Sequence, residues 1–544
     1  MSRRAVALAA IAIAALRLID ALHLEFDSDE PQHLHVVWAW TRGLLPYRDV
    51  FDNHAPLFHL ACSPLLGALG ERAGILVPMR LALFPAFALT LIAIAWLGRR
   101  LFSARVAAWG TLMAALWPEH FLTSLEFRPD GPWSALWLLS LAVLVAGRLT
   151  ARRAAVAGLL MGVAFALSLK TVLLLATLAA AAALALPAWR ARLAPGTARR
   201  LASPALAVAA GTAVVPGLLL LWFAARGALS PLIDCVVRHN LLPGAAPGAA
   251  PGARALLLPA TVVGLGFLAA AHARRDRDPA LGARRSLVAL SAALYLAALE
   301  GLWPVLTPQD FLPFEPLAAL FAAAVVLGPD GAGAAAPRRA RPALAGLLVA
   351  LELAALIARQ PPWRDRSGPE MRLIADVLSL TGPADTVMDL KGEMVYRPRA
   401  FYWVLETITR ERMRRGLIPD RIPERLIETH TAVVANDSHF LPPRAREFMD
   451  TSYVSVGSLR VAGRMLEPAA GAPRRFTVIV PGRYVVRGRS GPAAGRLDGQ
   501  PCAAPLLLAT GPHRYDPAPG EGRVAVWWAR AAESGYSPRS MESP

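Results

Sequence analysis

The chain reads as a polytopic α-helical membrane protein of about eleven transmembrane helices, followed by a C-terminal extracytoplasmic region that is part α/β and part β-sandwich-like. Three observations predict this. Of 544 residues, 55% are hydrophobic and 18% charged, and the mean hydropathy is +0.42, too apolar for an ordinary soluble enzyme, a disordered chain or a disulfide scaffold. Ala/Leu/Val-rich stretches of about membrane-spanning length follow one another from Ala5 to Ala358. Beyond Arg359 the composition turns charged, Pro-punctuated and aromatic. The net charge of +18 comes from arginines that interrupt the apolar runs rather than forming one basic face, which argues against nucleic acid as a partner. Cys62, Cys235 and Cys502 have neither disulfide nor zinc-ligand spacing.

The N-terminal Met-Ser-Arg-Arg and the apolar run after it fit a signal peptide or a first span. Asp20 and the lack of a small-residue cleavage site favour an uncleaved span. Short arginine-rich loops stay on the cytoplasmic side. These are Arg3 and Arg4; Arg99, Arg100 and Arg105; Arg148, Arg152 and Arg153; Arg190 to Arg200; Arg274 to Arg285; and Arg338 to Arg341. The outer loops then fall at about 24–73, 123–130, 225–254 and 303–310. Lys170 sits in the middle of the apolar run Ala154 to Leu186, which has arginine clusters at both ends. One crossing cannot leave both ends cytoplasmic, so two short helices meet near Ser168–Thr171 and deliver Lys170 to the outer surface. The N-terminus is then cytoplasmic and the tail extracytoplasmic.

The sequence thus divides into a membrane domain at 1–358, an extracytoplasmic α/β domain at 359–467 and a β-rich domain at 474–535. Val387-Met388-Asp389, a helix around Arg399–Thr409 and a buried strand at Thr431–Ala435 make the α/β unit. After the Pro/Gly/Ala linker at 468–473, strands are expected at Phe476–Val480, Tyr484–Arg487, Leu506–Leu508 and Val524–Trp528. The aromatic runs Phe401-Tyr402-Trp403 and Trp527-Trp528 permit carbohydrate stacking but read first as core.

The first outer loop carries four carboxylates and two imidazoles between Glu25 and His35. Adjacent carboxylates repel, so one among them suits a general base near neutral pH; the plainer alternative is a solvated loop capping the next helix. Pro31 marks that helix start, with Trp38 and Trp40 as interface anchors. The same loop continues through Gly43-Leu44-Leu45-Pro46-Tyr47-Arg48-Asp49 and Asp52-Asn53-His54-Ala55-Pro56-Leu57. Lys170, Arg128 and His54 are the cationic candidates of these loops, with a turn lysine and a structural loop histidine as alternatives. Asp130 either orients an acceptor, holds Arg128 or Lys170, or caps the following helix. Arg80 is expected to snorkel to the interface, and Asp310 and Glu315 to complement a helix dipole.

The acidic pair after the first span, the G-x-x-P-Y-R-D turn and the D-x-H-x-P-L element resemble the dolichyl-phosphate-mannose:protein mannosyltransferase-like group of glycosyltransferases in superfamily C, to which the lipid A aminoarabinose transferase is related. Glu126-Phe127-Arg128-Pro129-Asp130 and Pro308-Gln309-Asp310-Phe311-Leu312-Pro313-Phe314 agree with it, and the resemblance covers roughly residues 1–330. It implies transfer of a sugar from a polyprenyl-phosphate carrier to an acceptor hydroxyl on a lipid, glycan or protein at the outer face, with inversion. It also implies Asp29 as base, Glu30 as its neighbour and orienter, and a departing polyprenyl phosphate whose charge Lys170, Arg128 and His54 would stabilise, most where water is scarce. No cofactor is expected. A divalent cation on Asp29, Glu30 and Asp130 ranks below catalysis by protein cations, because a phosphate monoester leaving group carries less charge than a diphosphate. The arginine and alanine bias suggests a GC-rich bacterium, hence an undecaprenyl-type carrier and the inner membrane. A transporter or flippase, and a noncatalytic envelope scaffold, are the competing classes; the first usually places ionisable groups near the membrane midplane and shows repeated halves.

Overall fold

Apolar helices make up most of the chain before Arg366 in the computed structural model, which describes residues 3–190, 202–241, 264, 278–303, 305–328, 340–436, 439–467, 472–489 and 491–539. Two compact units are present. One comprises Met1–Glu25, Asn53–Cys62 and Val77–Arg366; the other comprises Phe26–Asp52, Ser63–Leu76 and Ser367–Pro544.

In the first unit, five helices among the described residues are long and apolar enough to cross a membrane: Arg4–His23, Leu76–Leu101 (its first residue in the second unit), Ala202–Ala225, Pro279–Leu302 and Arg341–Arg359. Shorter apolar helices accompany them, including Ala104–Leu116, Asp130–Val145 and Glu315–Leu327. The break expected at Ser168–Thr171 is present: Ala151–Leu167 ends at Ser168, whose backbone is extended, and Thr171–Arg190 begins the return. Thr171 Oγ1 donates to Ser168 O at 2.8 Å and accepts from Trp133 Nε1 at 2.8 Å, which pins the turn. The Ala151–Leu167 and Ala202–Ala225 helices touch backbone to backbone. A Cβ added at Gly158 would lie 2.3 Å from Val208 O, and one at Gly162 would lie 2.6 Å from Thr212 O, so only glycine permits this close small-residue packing.

The arginine clusters also close helix ends. Arg153 donates to Val143 O at 2.6 Å and Arg341 to Leu327 O at 3.1 Å, and Arg285 donates to Leu101 O. Each carbonyl is in the last turn of a helix, where no intrahelical donor is available and a cation meets the negative dipole end. The clusters at 191–201, 274–277 and 338–339, and the outer-loop residues 242–254, lie outside the described residues.

In the second unit the strands are β1 Val387–Met388, β2 Val433–Ala435, β3 Tyr453–Val456, β4 Leu459–Leu466, β5 Arg474–Val478, β6 Gly482–Gly488, β7 Gly491–Pro492, β8 Arg496–Leu497, β9 Gln500–Pro501, β10 Leu506–Leu508, β11 Gly511–Asp516 and β12 Val524–Trp528. One sheet has eight strands, ordered β1-β2-β4-β12-β6-β10 with β3 on β4 and β7 on β6; the other is β5-β11-β8-β9. The composition break at 468–473 is not a break in the fold. Leu466 in β4 is registered with Val524 in β12, and one core joins Met388, Ile422 and Val434 to Tyr484, Val486 and Val526. The eight-stranded sheet and this core thus draw on both the 359–467 and the 474–535 segments expected from composition, while the four-stranded sheet lies wholly within 474–535.

The helix expected around Arg399–Thr409 begins only at Thr407 and runs to Arg414. Glu406 supplies the reason: its carboxylate accepts from the Ile408 and Thr409 N–H groups, at 2.5 and 2.8 Å, as an N-cap. Before it, Tyr402 OH donates to Tyr47 O at 2.5 Å and Trp403 packs on Phe51, with ring centroids 4.9 Å apart. Buried Phe401 and Trp527 belong to the core. Such contacts explain why Phe26–Asp52 and Ser63–Leu76, assigned by sequence to the membrane domain, belong to the tail's unit. Arg397 adds to them, 2.9 Å from Glu71 through Nη1.

Candidate functional site

Arg128, Asp130 and Lys170 come together in the first unit. The 123–130 loop ends at Pro129, so Asp130 opens the Asp130–Val145 helix and its carboxylate sits in the first turn, where the dipole favours an anion. Arg128 Nε reaches Asp130 Oδ2 at 3.3 Å, and Lys170 Nζ reaches Asp130 Oδ1 at 3.1 Å. Lys170 also lies 2.5 Å from Asp310 Oδ1. Sequence reasoning left Asp310 as a helix-start residue. It does close a capping box, accepting from Thr307 N at 2.7 Å, yet its other oxygen holds the lysine. Glu126 completes the cluster, 3.8 Å from Arg128 and accepting from Gln309 Nε2 at 2.6 Å. His54 lies within electrostatic reach of Asp130.

Asp130, Asp310 and Arg128 are buried. Charges so placed persist only when paired, and here every cation has a carboxylate. The cluster gathers two fixed cations and several donors in an apolar surround. The Lys170 ammonium donates to Asp130 Oδ1 and is ion-paired with Asp310.

Asp29 and Glu30 are in the second unit, at the start of the Asp29–Thr41 helix. Glu30 Oε1 accepts from the Asp27 N–H at 2.9 Å, and Asp27 Oδ1 accepts from the Asp29 N–H at 3.0 Å, so these two neighbours satisfy backbone donors at the helix entry. Asp29 Oδ1 lies 2.7 Å from Lys391 Nζ. The sequence signal for Lys391 was present but unused: it and Lys170 are the two lysines of the chain.

Other expectations are corrected. Arg80 does not snorkel. It is fully buried and donates to Leu24 O at 2.8 Å and Glu25 O at 2.9 Å, closing the end of the first helix. Trp38 is no interface anchor; it is buried and stacks on His35, with centroids 5.4 Å apart. Among the described residues, no group of three or more His, Cys, Asp or Glu side chains converges as a metal-ligand set.

Fold and cluster define a polytopic membrane protein with an ionic centre at its helix starts and a sheet-bearing C-terminal unit. Solved structures share this fold over most of both chains. ArnT from Cupriavidus metallidurans bound to undecaprenyl phosphate aligns with a TM-score of 0.56 at 15% identity, covering 85% of this chain and 98% of that one. The apo state of the same enzyme gives 0.56 at 14% identity, covering 83% and 96%. Archaeal oligosaccharyltransferase AglB from Archaeoglobus fulgidus, in complex with an inhibitory peptide and a dolichol-phosphate, gives 0.48 at 12%, covering 84% and 74%. At these identities the likeness to ArnT is one of fold. No protein-family profile matches the chain, and no curated protein matches its sequence.

Proposed function

We propose that the protein is an integral-membrane glycosyltransferase that moves a sugar from a polyprenyl-phosphate carrier to an acceptor hydroxyl of an envelope lipid, glycan or protein, with inversion. It crosses the bacterial inner membrane about eleven times, with a cytoplasmic N-terminus and an extracytoplasmic tail, and works at the outer face. The observation that carries this reading is the buried Arg128–Asp130–Lys170–Asp310 cluster, whose cations suit a departing phosphate. The ArnT fold supports it, since that enzyme has been solved with undecaprenyl phosphate bound.

In the proposed step the acceptor oxygen forms a bond to the anomeric carbon while the bond from that carbon to the phosphate oxygen breaks. Asp29 takes the acceptor proton, and the electron pair leaves with the polyprenyl phosphate. Lys170 and Arg128, with His54, stabilise that leaving charge, which grows in the transition state and is screened little where water is scarce. Asp130 and Asp310 fix the ammonium. The scheme needs no resident metal ion. Glu30 holds the loop that carries Asp29.

The test uses full-length protein in lipid nanodiscs with undecaprenyl-phosphate-linked mannose, glucose, arabinose and 4-aminoarabinose, and envelope extract as acceptor. Acceptor-dependent release of undecaprenyl phosphate, abolished in Asp29→Asn, is expected. Release unchanged in that variant overturns Asp29 as base, and no release from any donor overturns transfer in favour of transport or scaffolding.

A further inference from the structure

We infer that Lys391 is the positioning residue for Asp29, a cation that the C-terminal region supplies to the proposed base. The inference rests on the transferase reading and on Asp29 as its base. Lys391 Nζ lies 2.7 Å from Asp29 Oδ1 and 2.9 Å from Ser28 Oγ. In a chain with one other lysine, this position carries a compact ammonium, which sits on one carboxylate oxygen instead of forking across both.

The turn that presents Lys391 is fixed from several sides. It follows β1, and Asp389 anchors it: one carboxylate accepts from the Gly392 and Met394 N–H groups, each at 2.9 Å, and from Arg399 Nε at 2.7 Å. Glu393 Oε2 accepts from the Lys391 N–H at 2.8 Å. Gly392 has φ +102°, and a Cβ there would stand 3.0 Å from His35 Cβ, so glycine is required both for the backbone and for the approach. Val395 has φ +44°, a strained conformation for a β-branched residue. His35 Nδ1 donates to the Val395 carbonyl at 2.7 Å. Strain of this kind persists only where the surroundings over-determine it, and it gathers at functional sites. The turn is therefore seated against the Asp29–Thr41 helix at His35, and Lys391 meets that helix again at its first residue.

A base that must accept a proton in the transition state has to be ionised beforehand and aimed at the acceptor. Lys391 does both through Asp29: it favours the carboxylate over the acid and fixes one oxygen. It touches no reacting atom. Asp29 shares its loop and helix with Asp27, Glu30, His33 and His35, and Lys391 shares its turn with Asp389 and Glu393, with Arg399 bound to Asp389.

The experiment compares wild type, Lys391→Met, Lys391→Arg and Asp29→Asn, full length in nanodiscs, with the same undecaprenyl-phosphate sugars and envelope extract. Lys391→Met is expected to lower kcat by about tenfold to a hundredfold with little change in the donor KM. It should also move the acid limb of the pH profile up by about one unit, because loss of an adjacent cation makes the carboxylate easier to protonate. Lys391→Arg recovers most of kcat, and thermal unfolding of both variants stays near wild type. A kcat loss in Lys391→Met with the acid limb unmoved, or full activity in that variant while Asp29→Asn is dead, overturns the role of Lys391 alone. Full activity in Asp29→Asn, or no release by wild type, overturns the underlying reading and this inference with it.

Discussion

Lys170 Nζ lies 2.5 Å from Asp310 Oδ1, an ion pair that ties the turn between two short apolar helices to the start of a late one. Asp130, at the start of a third helix, accepts from the same ammonium at 3.1 Å. A lysine with two carboxylates is held in place and held charged, which an anion-stabilising role requires.

Lys170→Met should reduce carrier-phosphate release by roughly 10²–10³-fold, in the range found when a preorganised donor to a developing oxyanion is removed. It also leaves buried Asp310 without its cation and Asp130 with Arg128 alone, so thermal unfolding should show a loss of about 3–5 kcal/mol. Adding Asp310→Asn should restore part of the stability and none of the activity. Recovery of both together would show that Lys170 matters only for folding.

The hairpin at Ser168 was legible because two arginine clusters flanking one apolar run leave a topology with no other solution. Asp310 was half legible: its capping role is local, and local spacing finds it, but its lysine comes from a loop remote in sequence and follows no period. Arg80 misled for a similar reason. An arginine near a span end snorkels unless carbonyls wait for it inside, and Leu24 and Glu25 supply them. In the tail, alternation located β5, β6, β10 and β12 to within a residue or two. It could not say that β12 would choose β4 across the linker, because partner choice depends on the whole buried face. Asp29 and Asp130 stood out as loop motifs, whereas Lys391 was one charge in a charged region.

Arg397 is buried and forms four hydrogen bonds, to Thr381 Oγ1 at 2.8 Å, Thr381 O at 3.0 Å, Tyr396 O at 2.7 Å and Glu71 at 2.9 Å. Its pair with Glu71 joins the Ser63–Leu76 segment to the tail. Arg397→Met removes every donor and should destabilise the C-terminal unit by about 3–5 kcal/mol. Hydrogen exchange should rise in residues 63–76 before it rises in the central strands. Uniform exchange across the unit would sink the idea that this pair is the tether.

Helix contact in the membrane unit should be sensitive at Gly162 and tolerant at Gly217. Gly162→Leu drives a side chain into Thr212 O, forces the Ala202–Ala225 helix away from the Ala151–Leu167 helix and should cost about 1–3 kcal/mol or more in thermal unfolding. Nothing lies within 4 Å of a Cβ at Gly217, so Gly217→Ala should be neutral or add up to about 1 kcal/mol from helix propensity. Equal losses at the two sites would mean that the close approach is not what holds these helices together.

Stability of the C-terminal unit should carry a pH signature from Glu393. Burial, and then the nearby Asp389 carboxylate, push its carboxyl up to about 7, against about 4.3 in an unfolded chain. The folded state therefore holds this proton more tightly than the unfolded state does. Its contribution is most favourable below about pH 4.3, declines as pH rises to about 7, and is constant above. Glu393→Gln keeps an acceptor for the Lys391 N–H and removes the titration. The difference in unfolding temperature between variant and wild type should therefore grow in favour of the variant from pH 5 to pH 8, and taking that difference cancels the other carboxylates. Parallel curves over that range would show that Glu393 is ionised in the folded state throughout, with Asp389 and Arg399 sharing their charge differently from the arrangement described.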